Sequence, residues 1–147
     1  MEALSFSGSA VVETAVAGTE VAVGIVGTPG EGLPAVEIVP KGGLYDYAAR
    51  YTAGATEYFA PARLDASVAS ACRDIAMDAW SALHLRDVTR VDMMVDDRGD
   101  PWVLEVNVAP GMTETSLLPM AARALDFAQL CDEVMRSAGL RTRGPAR

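Results

Sequence analysis

The stretch that most restricts the fold is RVDMMVDDRGDPWVLEVNVAPGM, residues 90 to 112, where two apolar, β-branched runs flank a turn and carry carboxylates inside them. Such a pattern predicts an antiparallel hairpin, since side chains alternate between faces and turn residues close the connection. Arg90, Asp92 and Met94 then share one face of the first strand. In the second strand Trp102, Leu104 and Val106 share a face, and Val103, Glu105 and Asn107 share the other. With residues 96 to 101 as the connection, Val95 pairs with Trp102, Asp92 with Glu105 and Arg90 with Asn107. Opposed Cβ atoms lie about 5 Å apart, and like charges there repel. A hard cation would relieve this, because magnesium takes carboxylate, amide and water oxygens. Asn107 would add an amide oxygen, and Arg90 would lie beside phosphates or a developing oxyanion. The plainer alternative is a solvated face, and a one-residue slip would undo the alignment.

The rest of the chain predicts one α+β unit over residues 1–140 with a frayed tail, 141–147. SAVVETAV, TEVAVGIVG and AVEIV read as three strands, with GTPGEGLP as the turn before the third. From Lys41 to Thr56 the Gly-, Ala- and Tyr-rich run has neither helical nor strand period and reads as a long loop. Asp65 is the expected N-cap of a helix whose apolar positions are Val68, Cys72, Ile75, Ala79 and Leu83. A second helix starts at SLLPMAARA, with Ser116 as N-cap and Pro119 in the first turn. The last runs from Phe127 to about Ser137, opened by an Asp126/Gln129 capping box and closed near Gly139.

Composition narrows the classes of partner. A net charge of -8 over 147 residues argues against a surface built for nucleic acid or anionic membranes. Two distant cysteines, Cys72 and Cys131, with a single histidine, His84, form no metal-ligand pattern and are expected to be reduced. No apolar run is long enough to span a bilayer and the N-terminus has no basic, uninterrupted leader, so a cytoplasmic protein is expected.

LEVN, PGMT, SLLPMAARA and EIVPKG together resemble the C-terminal part of D-alanine-D-alanine ligases of the ATP-grasp superfamily, over about Ala3 to Gly139. The resemblance implies an ATP-grasp C-terminal lobe, an antiparallel sheet packed with helices. It also implies ATP-dependent joining of two D-alanines through an acyl phosphate, for peptidoglycan synthesis. Asp92, Glu105 and Asn107 would hold two magnesium ions, with manganese a possible substitute. Glu13 and the backbone at Val16 would meet adenine, and Glu20 the ribose. Arg90 and the backbone at Gly111 would stabilise the tetrahedral oxyanion. Ser116 and the backbone of Leu117 would meet the second substrate's carboxylate.

The mobile loop of that family corresponds to 41–56, with Arg50 where a γ-phosphate lysine is usual and Tyr51 next to it. Arginine keeps the charge but replaces a point charge with a planar fork. From pattern alone, Glu13 and Glu20 read as exposed strand residues, and Ser116 as a plain cap. The family's N-terminal domain, its two phosphate-contacting lysines and its serine/glycine loop have no counterpart here; GTPGEG lacks a lysine and a following helix. The alternatives are therefore a non-catalytic remnant, a weak magnesium-nucleotide-binding fragment, or a ligase for another small D-amino acid. A complementing N-terminal half is the expected partner, and the parent family often forms homodimers. Asp92→Asn and Glu105→Gln are expected to weaken nucleotide binding without unfolding the chain.

Overall fold

A computed structural model describes residues 5–27, 30–42, 52, 54–113, 116–122 and 126–142, with backbone alone for 140–142. Its strands are β1 (Thr19–Gly27), β2 (Glu31–Gly32), β3 (Val36–Pro40), β4 (Thr56–Phe59), β5 (Asp87–Val95) and β6 (Pro101–Asn107). Its helices are α1 (Ala66–Ala82), α2 (Leu117–Ala121) and α3 (Phe127–Thr142). The sheet runs β4-β3-β1-β5-β6, with β2 paired to β1. Every pairing is antiparallel.

The near-continuous apolar run of β1 follows from cover on both faces. Val21, Val23 and Ile25 join Val91, Met93 and Val95 of β5 in a core under Cys72, Ala76 and Trp80 of α1. On the other face Ala22, Val36 and Ile38 pack against Leu117 and Ala121 of α2. Val26, on that same face, packs with Ala122 and Leu130.

Several local expectations change. Residues 11–17 belong to no strand: Val11 and Val12 are exposed, and without a neighbour to pair with, β-propensity alone does not make a ladder. The predicted loop ends in β4, whose Tyr58 pairs with Ile38, while 43–51 and 53 lie outside the described residues. In α1 the fully buried positions are Cys72, Ala76 and Trp80, the predicted Val68, Ile75 and Ala79 pack half-buried against the same core, and Leu83, the exposed C-cap, departs from the predicted stripe. Asp65 and Ser116 are N-cap residues by position, yet neither side chain makes a cap bond.

At α3 the capping box is reciprocal, with Asp126 N–H donating to Gln129 Oε1 at 3.0 Å and Gln129 N–H to Asp126 Oδ1 at 2.8 Å. The helix passes through Gly139 to Thr142, so residues 141 and 142 are not tail. Glycine ends a helix only when it turns left-handed, and Gly139 is not among the positive-φ residues. Cys72 and Cys131 are both free thiols.

One buried charge is new. Glu37 of β3 is 6% exposed and accepts three bonds from Arg63: from its N–H at 3.0 Å, Nε at 2.9 Å and Nη2 at 2.6 Å. The Arg63 side-chain bond holds the Glu37 carboxyl below its ordinary 4.5, against the opposing effect of burial. A depressed folded pKa gives stability that is present above the unfolded value and lost as pH falls through the folded one. Glu37→Gln is expected to cost about 1–2 kcal/mol at pH 7. Urea midpoints of the two proteins should converge as pH falls below the ordinary carboxylate range; a constant gap would mean the charge is not what stabilises the contact.

Candidate functional site

Alternation along β1, β3, β5 and β6 assembles the candidate residues in rows on the sheet face that α2 partly covers. The first row is Ile38, Glu20, Met94 and Trp102; the second is Val36, Ala22, Asp92 and Glu105; the third is Gly24, Arg90 and Asn107. The predicted opposition of Asp92 with Glu105 and of Arg90 with Asn107 is therefore present. Towards the turn the register slips by one: Met93 meets Val103, Met94 meets Trp102 and Val95 meets Pro101, with a bulge leaving Leu104 unmatched. The connection is consequently 96–100, and Trp102 moves to the face of Glu105. That corrects the predicted grouping of Trp102 with Leu104 and Val106.

Asp92 also has a protein partner that the sequence reading did not name. Arg90 Nε donates to Asp92 Oδ1 at 2.6 Å and Nη2 to Oδ2 at 2.7 Å. Both residues are 8% exposed, so this is a buried bidentate pair between neighbours on one strand face. Glu105 is exposed to solvent. Asn107 Oδ1 accepts the Ala109 N–H at 3.0 Å, and its carbonyl accepts the Thr89 hydroxyl at 2.7 Å, which fixes the end of β6. Among the described residues no three His, Cys, Asp or Glu gather. Two carboxylates and an amide oxygen, completed by water and phosphate oxygens, still fit the hard-donor preference of magnesium.

Above this face, α2 is seated through Leu118. A Cβ on Gly24 would lie 2.4 Å from Leu118 Cδ1, so only glycine at this point of β1 admits the helix so closely. Gly24 pairs with Arg90, which brings the start of α2 towards the arginine. Ser116 Oγ accepts the Thr113 N–H at 3.1 Å and lies 2.9 Å from Thr113 Oγ1, closing the loop in place of capping the helix. A Cβ on Gly111 would stand 2.7 Å from that same Oγ, so the Pro-Gly turn permits a close backbone approach at Ser116. Leu117 is buried beneath.

At the opposite end Glu13 and Val16 line a cavity of about 570 Å³ together with Asp96, Trp102 and Leu104. Glu20 is half-buried in the row beside Met94. Arg50 and Tyr51 lie outside the described residues. Sequence reading missed the Arg90–Asp92 pair, although their i, i+2 spacing on a strand was its signal. It also missed Asp96 and Trp102, whose meeting depends on the bulge.

The family model described as D-ala D-ala ligase C-terminus matches residues 1–136. The chain belongs to this family. Among relatives of this D-ala D-ala ligase C-terminus, the D-alanine--D-alanine ligase of Methylacidiphilum infernorum (isolate V4) is 49% identical over 131 residues, 88% of the chain and 43% of that protein. The one from Anaeromyxobacter dehalogenans (strain 2CP-C) is 44% identical over 142 residues, 95% of the chain and 46% of the relative. The chain thus spans less than half the length of these curated relatives. The D-alanine--D-alanine ligase from Bacillus anthracis complexed with ATP superposes with a TM-score of 0.71 at 30% identity, over 89% of this chain and 41% of that one. The VanG D-Ala:D-Ser ligase from Enterococcus faecalis gives 0.71 at 29% identity, over 83% and 36%. These likenesses agree with the antiparallel sheet and packed helices described above.

Proposed function

We propose that this chain forms the C-terminal wall of an ATP-dependent D-alanine-D-alanine ligase, the remaining walls coming from an N-terminal portion such as the relatives carry. The observation that carries this reading is the ordered face itself. A cavity bordered by Trp102, opposed carboxylates at Asp92 and Glu105, and the close approach of Gly111 to Ser116 are its parts.

In this reading Glu13 and Val16 meet adenine, Glu20 the ribose, and Arg50 the γ-phosphate, with Tyr51 in the closing loop. The carboxylate of the first D-alanine takes the γ-phosphoryl group, forming an acyl phosphate that the amine of the second attacks. Asp92, Glu105 and Asn107 would hold magnesium, which when bound offsets the charge of the transferring phosphoryl group. Arg90 and the Gly111 N–H donate to the tetrahedral oxyanion, and Ser116 with the Leu117 N–H anchors the second carboxylate. The product serves peptidoglycan synthesis, and the compartment is the cytoplasm. No helix among the described residues is long and apolar enough to cross a membrane. A second reading, ligation of D-serine or another small D-amino acid, is favoured by the likeness to the D-Ala:D-Ser ligase.

The test is phosphate release from magnesium-ATP with D-alanine, then with D-serine, for the chain alone and mixed with an N-terminal portion of a related ligase. Turnover only in the mixture supports the proposal; silence in both from folded protein rejects it. Glu105→Gln removes an exposed carboxylate and leaves no buried charge. It is expected to weaken magnesium-dependent nucleotide binding at least tenfold, roughly 1.4 kcal/mol, and to leave the melting temperature unchanged. Unaltered binding would remove Glu105 from the metal set.

A further inference from the structure

Trp102 is 48% exposed, although its indole N–H is held: it donates to Asp96 Oδ2 at 3.2 Å. Asp96 is itself pinned, since its Oδ1 accepts the N–H of Arg98 at 2.9 Å and of Asp100 at 3.0 Å. Arg98 Nη2 adds a longer contact to Oδ2 at 3.4 Å. These bonds, the Asp100 N–H foremost, hold the Asp96 carboxyl down to about 2, so it is a fixed anionic acceptor near neutrality.

The turn does not need the indole. Asp96 N–H donates to the Asp100 carbonyl at 3.1 Å and Gly99 N–H to the Asp96 carbonyl at 2.9 Å, while Oδ1 caps two further N–H groups. What the Oδ2 bond adds is a fixed orientation for a large ring that is left uncovered. That ring borders the 570 Å³ cavity, whose wall continues through Val103 and Leu104 to the extended run 13–17. That run belongs to no strand, so no ladder takes up its backbone polar groups, and the lining sets apolar side chains beside Glu13 and Asp96. A planar heteroaromatic ligand, polar at its rim and apolar on its faces, matches both.

We propose that Trp102 is the stacking platform for the purine of the nucleotide, and that Asp96 is the positioning residue that sets its ring. The inference rests on the ligase reading, since that supplies the nucleotide. Asp96→Asn isolates the positioning role: the amide oxygen still caps Arg98 and Asp100, while the NH₂ faces the indole N–H donor to donor and releases it.

Calorimetric titration of the chain, mixed with an N-terminal portion of a related ligase, would compare magnesium-ATP with magnesium-tripolyphosphate, which lacks the base. Trp102→Ala is expected to weaken ATP about tenfold, within the range for base stacking, and to leave tripolyphosphate unchanged. Trp102→Phe should lose ATP affinity only several-fold, less than Trp102→Ala, because it keeps a stacking ring but has no N–H for Asp96 to hold. Asp96→Asn should weaken ATP several-fold in the natural background and have no effect in the Trp102→Phe background, where there is no N–H to orient. Unchanged ATP affinity in Trp102→Ala, or equal loss of both ligands, would overturn the platform. An Asp96→Asn effect that persists with phenylalanine would place Asp96 in the turn alone. Absence of any ATP binding by the natural sequence would overturn the ligase reading, and this inference with it.

Discussion

Asp92→Asn is expected to lower the stability of the fold by about 3 kcal/mol, because it takes the carboxylate out of a buried bidentate pair with Arg90. The two side chains meet through bonds of 2.6 and 2.7 Å. Asparagine keeps the shape and one acceptor, but not the charge. The urea midpoint should fall with an unchanged slope, whereas Glu105→Gln, at the opposed exposed position, should not move it. Replacing both partners, Arg90→Met with Asp92→Leu, should recover part of the loss, since the two charges that meet are then removed together. A single variant as stable as the natural chain would show that Arg90 finds water in solution and that the pair is not buried there. The expectation from sequence was that Asp92→Asn spares the fold; with Asp92 in a buried pair, binding lost in that variant has to be measured on its folded fraction.

Leu118→Ala is expected to cost about 3 kcal/mol, the usual range for emptying a fully buried leucine site. Leu118 is 0% exposed and sits directly over Gly24, so few neighbours can relax into the space it leaves. A five-residue helix has little stability of its own and keeps its place through such contacts. In an assembled ligase the requirement for the second D-alanine should therefore rise several-fold while that for ATP stays nearly constant, because Ser116 and Leu117 move with α2. Lost stability with an unchanged D-alanine requirement would separate α2 from substrate positioning. Unchanged stability would contradict the packing over Gly24.

Much of the site was legible because it rests on alternation. Asp92 against Glu105 and Arg90 against Asn107 follow from period two once the hairpin is recognised, and the helix near Phe127 follows from its capping box. The position of α2 was legible only in part. SLLPMAARA announces a helix after a serine, but that the serine hydroxyl turns back to Thr113 depends on the path of residues 111–113.

The sequence by itself determined the hairpin, its carboxylate pairing next to Asn107, the apolar β1 and the family, because each is written in local spacing or in contiguous motif residues. Only the tertiary structure decided which side chain meets Asp92, how deeply each apolar position of α1 is buried and where Trp102 points. Those outcomes turn on a single bulge at Leu104 and on what covers each face of the sheet. A bulge reverses side-chain facing over half a strand at little local energetic difference. Burial, unlike alternation, is a property of what packs opposite, and residues distant in the chain supply it.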